Sequence, residues 1–213
     1  MSRPSVGIFL FPADDSRRPE ERLRAAAEAS GLVRENSPEY IWHMARGIYG
    51  KPYFPAQPDL HFSISHSGDW WLCALSETPI GVDLQEHTKN RGEEEETAAA
   101  RYGRMAERFF HPSEALWVCK NRYERFFMVW AAKESYVKYT GEGIGDSFGQ
   151  FSVIPERPFS LSADGERYWT AAGVCFCERE FPQGYTTCIC TGMPAEYALF
   201  TCTGPAFRRQ SIF

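Results

Sequence analysis

The chain lacks any uninterrupted apolar run close to the roughly twenty residues that span a bilayer, so a membrane partner is not expected. Its opening residues, MSRPSVGIFLFPADD, hold an apolar stretch too short for a secretory signal. It also lacks an excess of basic charge, with 23 Lys and Arg against 28 Asp and Glu. The resulting net charge of −5 argues against a nucleic-acid partner, and any anionic ligand must be held by local charges. No internal repeat, low-complexity segment or strong linker is visible. Seven cysteines are an odd number, and in the cytoplasmic location expected for this chain they would stay thiols and behave as small buried hydrophobes.

What is present is a core-forming composition, 43% apolar and 15% aromatic in 213 residues, enough for one large domain or two small lobes. The spacing predicts a strand near Val6–Phe11, then a helix capped by Asp14–Ser16 and stopped at Gly31. A second helix is expected from Ser37-Pro38 to the glycines at 47 and 50. Short strands follow at 61–65, 70–76 and 80–84, separated by Ser67-Gly68-Asp69 and Glu77-Thr78-Pro79. Residues 97–139 read as helix in two or three pieces, broken at His111-Pro112 with Ser113 as a cap. Strands are then expected at 148–154, 159–162, 168–178, 185–191 and 197–202. The order helix, sheet, helix, sheet predicts an α+β fold of two pseudosymmetric lobes, each a small antiparallel sheet packed with helices, with a cleft between them. Residues 1–105 and 106–213 are the expected lobes.

Cys175, Cys177, Cys188 and Cys190 form two C-x-C pairs around Phe181-Pro182-Gln183-Gly184. A two-residue turn at Pro182 and Gln183 would set Cys177 opposite Cys188 and Cys175 opposite Cys190, all on one face. Zinc and core filling are both open readings of that face. Structural zinc more often uses C-x-x-C knuckles, so no structural metal is carried forward.

Three segments carry chemistry. In Trp130-Ala-Ala-Lys133-Glu134-Ser135-Tyr136-Val137-Lys138, the residues Trp130, Glu134 and Lys138 lie on one helical face with Lys133 beside them. Alone, Glu134 and Lys138 read as an ordinary i, i+4 ion pair. The preceding Phe126 to Trp130 make the helix largely buried, where charges need partners or a function. In Phe62-Ser63-Ile64-Ser65-His66-Ser67-Gly68, a strand enters a hydroxyl-rich turn able to offer hydroxyls, amides and an imidazole to a phosphate. In Ile80-Gly81-Val82-Asp83-Leu84-Gln85-Glu86, Asp83 and Gln85 face the side opposite Val82 and Leu84 and present oxygens suited to a hard cation.

In this order and spacing, Gly50-Lys51-Pro52, Phe62 to Ser67, Gly81 to Leu84 and Trp130 to Lys138 make the chain resemble the phosphopantetheinyl transferase superfamily, in its longer, monomeric class that includes the surfactin-synthetase activator. The resemblance implies an enzyme that moves 4'-phosphopantetheine from coenzyme A to a serine of an acidic apo carrier protein, releasing 3',5'-ADP. It implies Mg2+ held by Asp83 and Glu134, Glu134 as the base, and Lys133 and Lys138 at the pyrophosphate and leaving group. Lys51, Ser65 and His66 match positions that contact nucleotide phosphates, with His66 also among the catalytic candidates. The middle of the chain, about 91–125, corresponds to the part that meets the carrier, where Arg101, Arg104, Arg108, Arg122 and Arg125 form either a basic patch or a solvated helix face. One departure stands out: many relatives have Asp-x-Glu where this chain has Asp83-Leu84-Gln85, so Gln85 is a neutral candidate ligand. The rival reading is a coenzyme A or carrier-binding module that kept the fold and lost the chemistry.

Overall fold

The computed structural model describes residues 3–34, 37–87, 94–121, 125–143, 145–155, 157–162, 165–204 and 206–210. Two five-stranded sheets and their helices stack in four layers. The first sheet has the order β12-β11-β1-β5-β4, built from β1 (Ser5–Pro12), β4 (His61–Ser67), β5 (Trp70–Ser76), β11 (Glu196–Thr203) and β12 (Ala206–Gln210). The second has the order β6-β10-β9-β8-β7, from β6 (Ile80–Glu86), β7 (Ser160–Leu161), β8 (Arg167–Ala171), β9 (Val174–Glu180) and β10 (Tyr185–Thr191). Helix α1 (Pro19–Ser30) covers the first sheet, burying Leu23, Ala26 and Ala27 against Phe9, Phe11 and Trp71. Helices α2 (Glu95–Phe109), α3 (Pro112–Lys120) and α4 (Phe126–Thr140) cover the second. Between the sheets lies a third core of Val6, Ile8, Leu10 and Leu72 against Ile80, Val82, Leu84 and Ile189.

This is the expected α+β architecture, with one parallel pairing, β1 with β11, among otherwise antiparallel neighbours. Sheet membership does not follow chain order. The strand β6 joins β10, while β11 and β12 return to β1, and the point between residues 105 and 106 falls within α2.

Several elements differ from expectation for local reasons. Pro19 opens α1 at its first turn, with Arg18 as the capping residue instead of Asp14–Ser16. The second helix shrinks to a 3-10 turn, Glu39–Trp42, because residues 45–53 pair as the small hairpin β2 (Ala45–Arg46) and β3 (Pro52–Tyr53). His111, not Ser113, caps α3, with Pro112 at its first position. The expected strand at 148–154 is a 3-10 turn at Asp146–Gly149 followed by irregular chain. The expected long strand at 168–178 is a hairpin, since Ala172 (φ 50) and Gly173 (φ 75) both adopt left-handed backbone and make a two-residue turn.

The cysteine hairpin slips by one residue from the expected register. Cys177 pairs with Ile189 and Cys175 with Thr191, while Cys188 pairs with Glu178 and Cys190 with Phe176. A one-residue slip sends side chains to opposite faces, so the two C-x-C pairs never share one. The cause is a longer loop than the two-residue turn, with Glu180 paired to Thr186 across it. The thiols are free, Cys177, Cys188 and Cys190 buried and Cys175 half-buried.

Where the sheets meet, the outer edge of β6 would leave a row of amides without partners. Serines of β4 fill it: Val82, Leu84 and Glu86 donate their N–H groups to the hydroxyls of Ser63, Ser65 and Ser67 at 3.0, 3.1 and 3.0 Å. The alternation of SISHS is therefore a spacer ladder joining two sheet edges through side chains. Ser63→Ala leaves the Val82 N–H buried without its acceptor, and is expected to cost about 1–3 kcal/mol in urea unfolding. A change below about 0.3 kcal/mol would show that water replaces the hydroxyl freely.

Candidate active site

Helix α4 lies directly on β6 because Gly81 has no side chain. A Cβ there would fall within 2.5 Å of Tyr139 N, and closer still to Ser135 O. This approach sets α4 beside Asp83, two residues along the same face of β6. Asp83 is 5% exposed; its Oδ1 accepts from Ser65 Oγ at 2.7 Å and from Lys138 Nζ at 2.6 Å. Lys138 Nζ also donates to Ser65 Oγ at 3.1 Å. Ser65 thus gives its one proton to Asp83 and accepts from Leu84 and Lys138, which uses its full hydrogen-bonding capacity.

Glu134 stands one turn before Lys138 on α4, half-buried. Its carboxyl pKa is pushed up to about 7, chiefly by burial and then by the Asp83 charge, with Lys138 opposing. Burial also raises Asp83, against the pull of Lys138 and of the Ser65 hydroxyl. Two carboxylates therefore share one ammonium, and the site holds more negative charge than it neutralises. Asp83 Oδ2 is buried with no hydrogen-bond partner among the described residues. An unpartnered carboxylate oxygen beside a second crowded carboxylate is a donor set that fits a hard divalent cation. Gln85 occupies the same face of β6 as Asp83, half-buried opposite Thr186. With an amide there, the acidic donors are two, and no cluster of three or more His, Cys, Asp or Glu side chains is disposed to hold a metal among the described residues.

Two cavities open onto Glu134. One, of about 260 Å³, is lined by Tyr49, Lys51, Phe62, Ile64 and Lys138. The other, of about 540 Å³, is lined by Arg108, Phe109, Trp130, Phe148 and Gly149. Lys51, on the wall of the first, donates to Ile80 O at 3.2 Å and Tyr139 O at 2.9 Å, so it ties the start of β6 to the end of α4. His66 is exposed on the Ile64 face of β4, turned away from the hydroxyl row.

The structure thus gathers Ser65, Asp83, Glu134 and Lys138, with Lys51 lining the cavity that Glu134 and Lys138 also line. It does not gather Lys133. That side chain is fully buried on the opposite side of α4, 2.9 Å from Glu114, because adjacent helical positions diverge by about 100°. Its expected place at the pyrophosphate does not match this arrangement. Of the expected arginine patch, Arg104 and Arg108 are exposed on α2, Arg101 and Arg125 are half-buried, and Arg122 lies outside the described residues. The reading of sequence alone also missed Glu114; the HPSE capping pattern marked the helix start but gave no sign that the glutamate turns inward.

A carboxylate pair beside a lysine thus lies at the junction of two sheets, with Glu134 and Lys138 lining a cavity. Residues 79–190, 112 of the 213, match the model of the 4'-phosphopantetheinyl transferase superfamily. A 4'-phosphopantetheinyl transferase of Bacillus subtilis is 32% identical over 160 residues, covering 72% of this chain and 59% of the relative. The 4'-phosphopantetheinyl transferase Sfp of Bacillus subtilis (strain 168) is 34% identical over 151 residues, 68% of this chain and 61% of that one. The 4'-phosphopantetheinyl transferase psf-1 of Bacillus pumilus is 29% identical over 174 residues, 76% and 67% respectively. The chain belongs to the 4'-phosphopantetheinyl transferase superfamily. It spans less than two thirds of the length of the first two of these relatives.

The raised carboxyl pKa has a consequence for stability. Folded Glu134 holds its proton up to about pH 7, whereas its ordinary value is 4.5, so the folded state binds more protons in that interval and loses stability as pH rises through it. Asp83 contributes with the same sign. In chelator, Glu134→Gln is expected to reduce the fall in melting temperature between pH 5 and pH 8, without removing the share due to Asp83. An unchanged pH slope would place the shifted group elsewhere.

Proposed function

We propose that this protein transfers the 4'-phosphopantetheine of coenzyme A to a serine of an acidic apo carrier protein or carrier domain, releasing 3',5'-ADP. The observation that carries the reading is the Asp83–Lys138–Glu134 constellation within a chain of this superfamily. Asp83 and Glu134, with the Gln85 carbonyl oxygen as a neutral third donor, are the residues that would hold Mg2+. Bound there, it would neutralise charge on the pyrophosphate. Glu134 takes the proton of the carrier serine as its oxygen bonds to the pantetheine-bearing phosphorus, and the bond from that phosphorus to the bridging oxygen of 3',5'-ADP breaks. Lys138 turns from Asp83 toward the charge developing on the leaving group. His66 and Lys51 meet the nucleotide phosphates, and Ser65 holds Asp83 and Lys138 in register. Arg104 and Arg108, exposed on α2, supply local positive charge for an acidic partner.

The protein acts as a monomer in this reading, as the resemblance to the longer, monomeric class implies. A cytoplasmic location accords with seven cysteines, an odd number that a reducing compartment would keep as thiols. Among the described residues no helix is long and apolar enough to cross a membrane.

The test is intact-mass spectrometry of apo carrier proteins incubated with the protein, coenzyme A and Mg2+, with a parallel chelated sample. The expected result is a gain of one phosphopantetheine that chelator abolishes. Asp83→Ala and Glu134→Ala are expected to lose transfer by at least about a hundredfold while keeping the wild-type circular dichroism. Bound but unconsumed coenzyme A with every carrier would overturn the reading in favour of a binding module, with Gln85→Glu the first change to restore turnover.

A further inference from the structure

Neighbouring charged residues of α4 face opposite ways. Glu134 faces the cavities, while Lys133 is wholly buried with its ammonium 2.9 Å from Glu114 Oε2 and donates to Phe151 O at 2.7 Å. The ammonium also sits 3.9 Å from the Phe151 ring centre and 5.1 Å from that of Phe148. Glu114 is equally buried; its Oε1 accepts from Val153 N at 2.7 Å and its Oε2 from His111 N at 2.9 Å. Trp169 Nε1 donates to Val153 O at 2.7 Å. One ion pair therefore ties together the start of α3, the irregular chain at 151–153 and the middle of α4.

Such a pair is not explained by stability, because apolar residues of similar volume commonly stabilise a core as well or better. What apolar residues cannot supply is direction: here three backbone groups, His111 N, Phe151 O and Val153 N, are each held by a charged atom. Residues 151–153 have no sheet ladder, so these bonds direct their backbone, alongside the packing of the Phe151 ring on Tyr136 of α4 at 4.5 Å. The same stretch continues back to Gly149, Phe148 and Gly145, one wall of the larger cavity, whose other walls are Phe109 and Trp130 and whose floor includes Glu134.

We propose that Lys133 and Glu114 are positioning residues: they hold the 145–153 wall at a fixed distance from α4 and so align what enters the larger cavity for reaction at Glu134. This rests on the reading of Glu134 as the proton acceptor. Lys133→Met alone leaves a buried, unpaired carboxylate and is expected to lower the melting temperature sharply. The double variant Lys133→Met, Glu114→Leu is expected to recover most of that stability. It is not expected to recover the wall: amides of 145–153 should exchange with deuterium at least about tenfold faster than in the wild type. Transfer should show kcat reduced at least about tenfold per folded molecule, with KM for coenzyme A within about twofold. If the double variant fails to fold, Glu114→Gln, which keeps the shape and one acceptor oxygen, reads the same quantities. Unchanged exchange overturns the proposal, as does faster exchange with wild-type kcat. A wild-type protein that transfers nothing is the distinct failure of the function reading, seen before any variant is made.

Discussion

The hydroxyls of Ser63, Ser65 and Ser67 accepting the amides of Val82, Leu84 and Glu86 are the contact on which the site depends. Two sheet edges brought together directly would form a continuous ladder about 4.8 Å apart, with no room for a functional group between them. A side-chain hydroxyl inserted between the backbones satisfies the amides of one edge and holds the strands further apart. At the middle rung, Ser65 has a proton left over, and that proton goes to Asp83. The element that joins the sheets therefore also orients the carboxylate, and neither task can be altered without the other.

Helix α4 completes the arrangement through an absence. Gly81 lacks the Cβ that would collide with the helix, and the resulting approach brings Lys138 to 2.6 Å from Asp83 Oδ1. Lys51 ties the same junction from the other end by binding carbonyls of Ile80 and Tyr139. Crowding two carboxylates beside one ammonium in a half-buried place stores unfavourable charge. Burial raises both acids, and the Asp83 charge adds to the shift of Glu134.

Legibility of these features in the sequence varied with their range. The strands from His61 to Glu86 and the pieces of α2 to α4 are close to expectation, because turn residues and helical spacing act within a few positions. The alternation of Asp83 with Val82 and Leu84 also placed that carboxylate on the correct face, opposite the intersheet core. Errors arose where a short signal competed with a distant partner. The Ser37–Gly47 segment has helical character but ends as a hairpin, and the stretch before Val153 is apolar like a strand but is anchored by Glu114 and Trp169 instead. The cysteine hairpin was read with a turn too short, and one residue of slip reversed which thiols share a face.

The sequence by itself determined the residue types of the site and their order, from Lys51 through Ser65 and Asp83 to Glu134 and Lys138, and with them the resemblance to a family. It determined the faces of strands and helices, since periods of 2 and 3.6 are local properties of the backbone. Only the tertiary structure decided which charges meet. Lys133 and Lys138 are alike in type and five residues apart, yet one is locked to Glu114 in the core and the other to Asp83 at the cavity. Lys138 and Asp83 are 55 positions apart, and a long-range pairing of that kind has no periodic trace in the chain. It is settled by which layers pack together and by the demand that each buried charge find a partner.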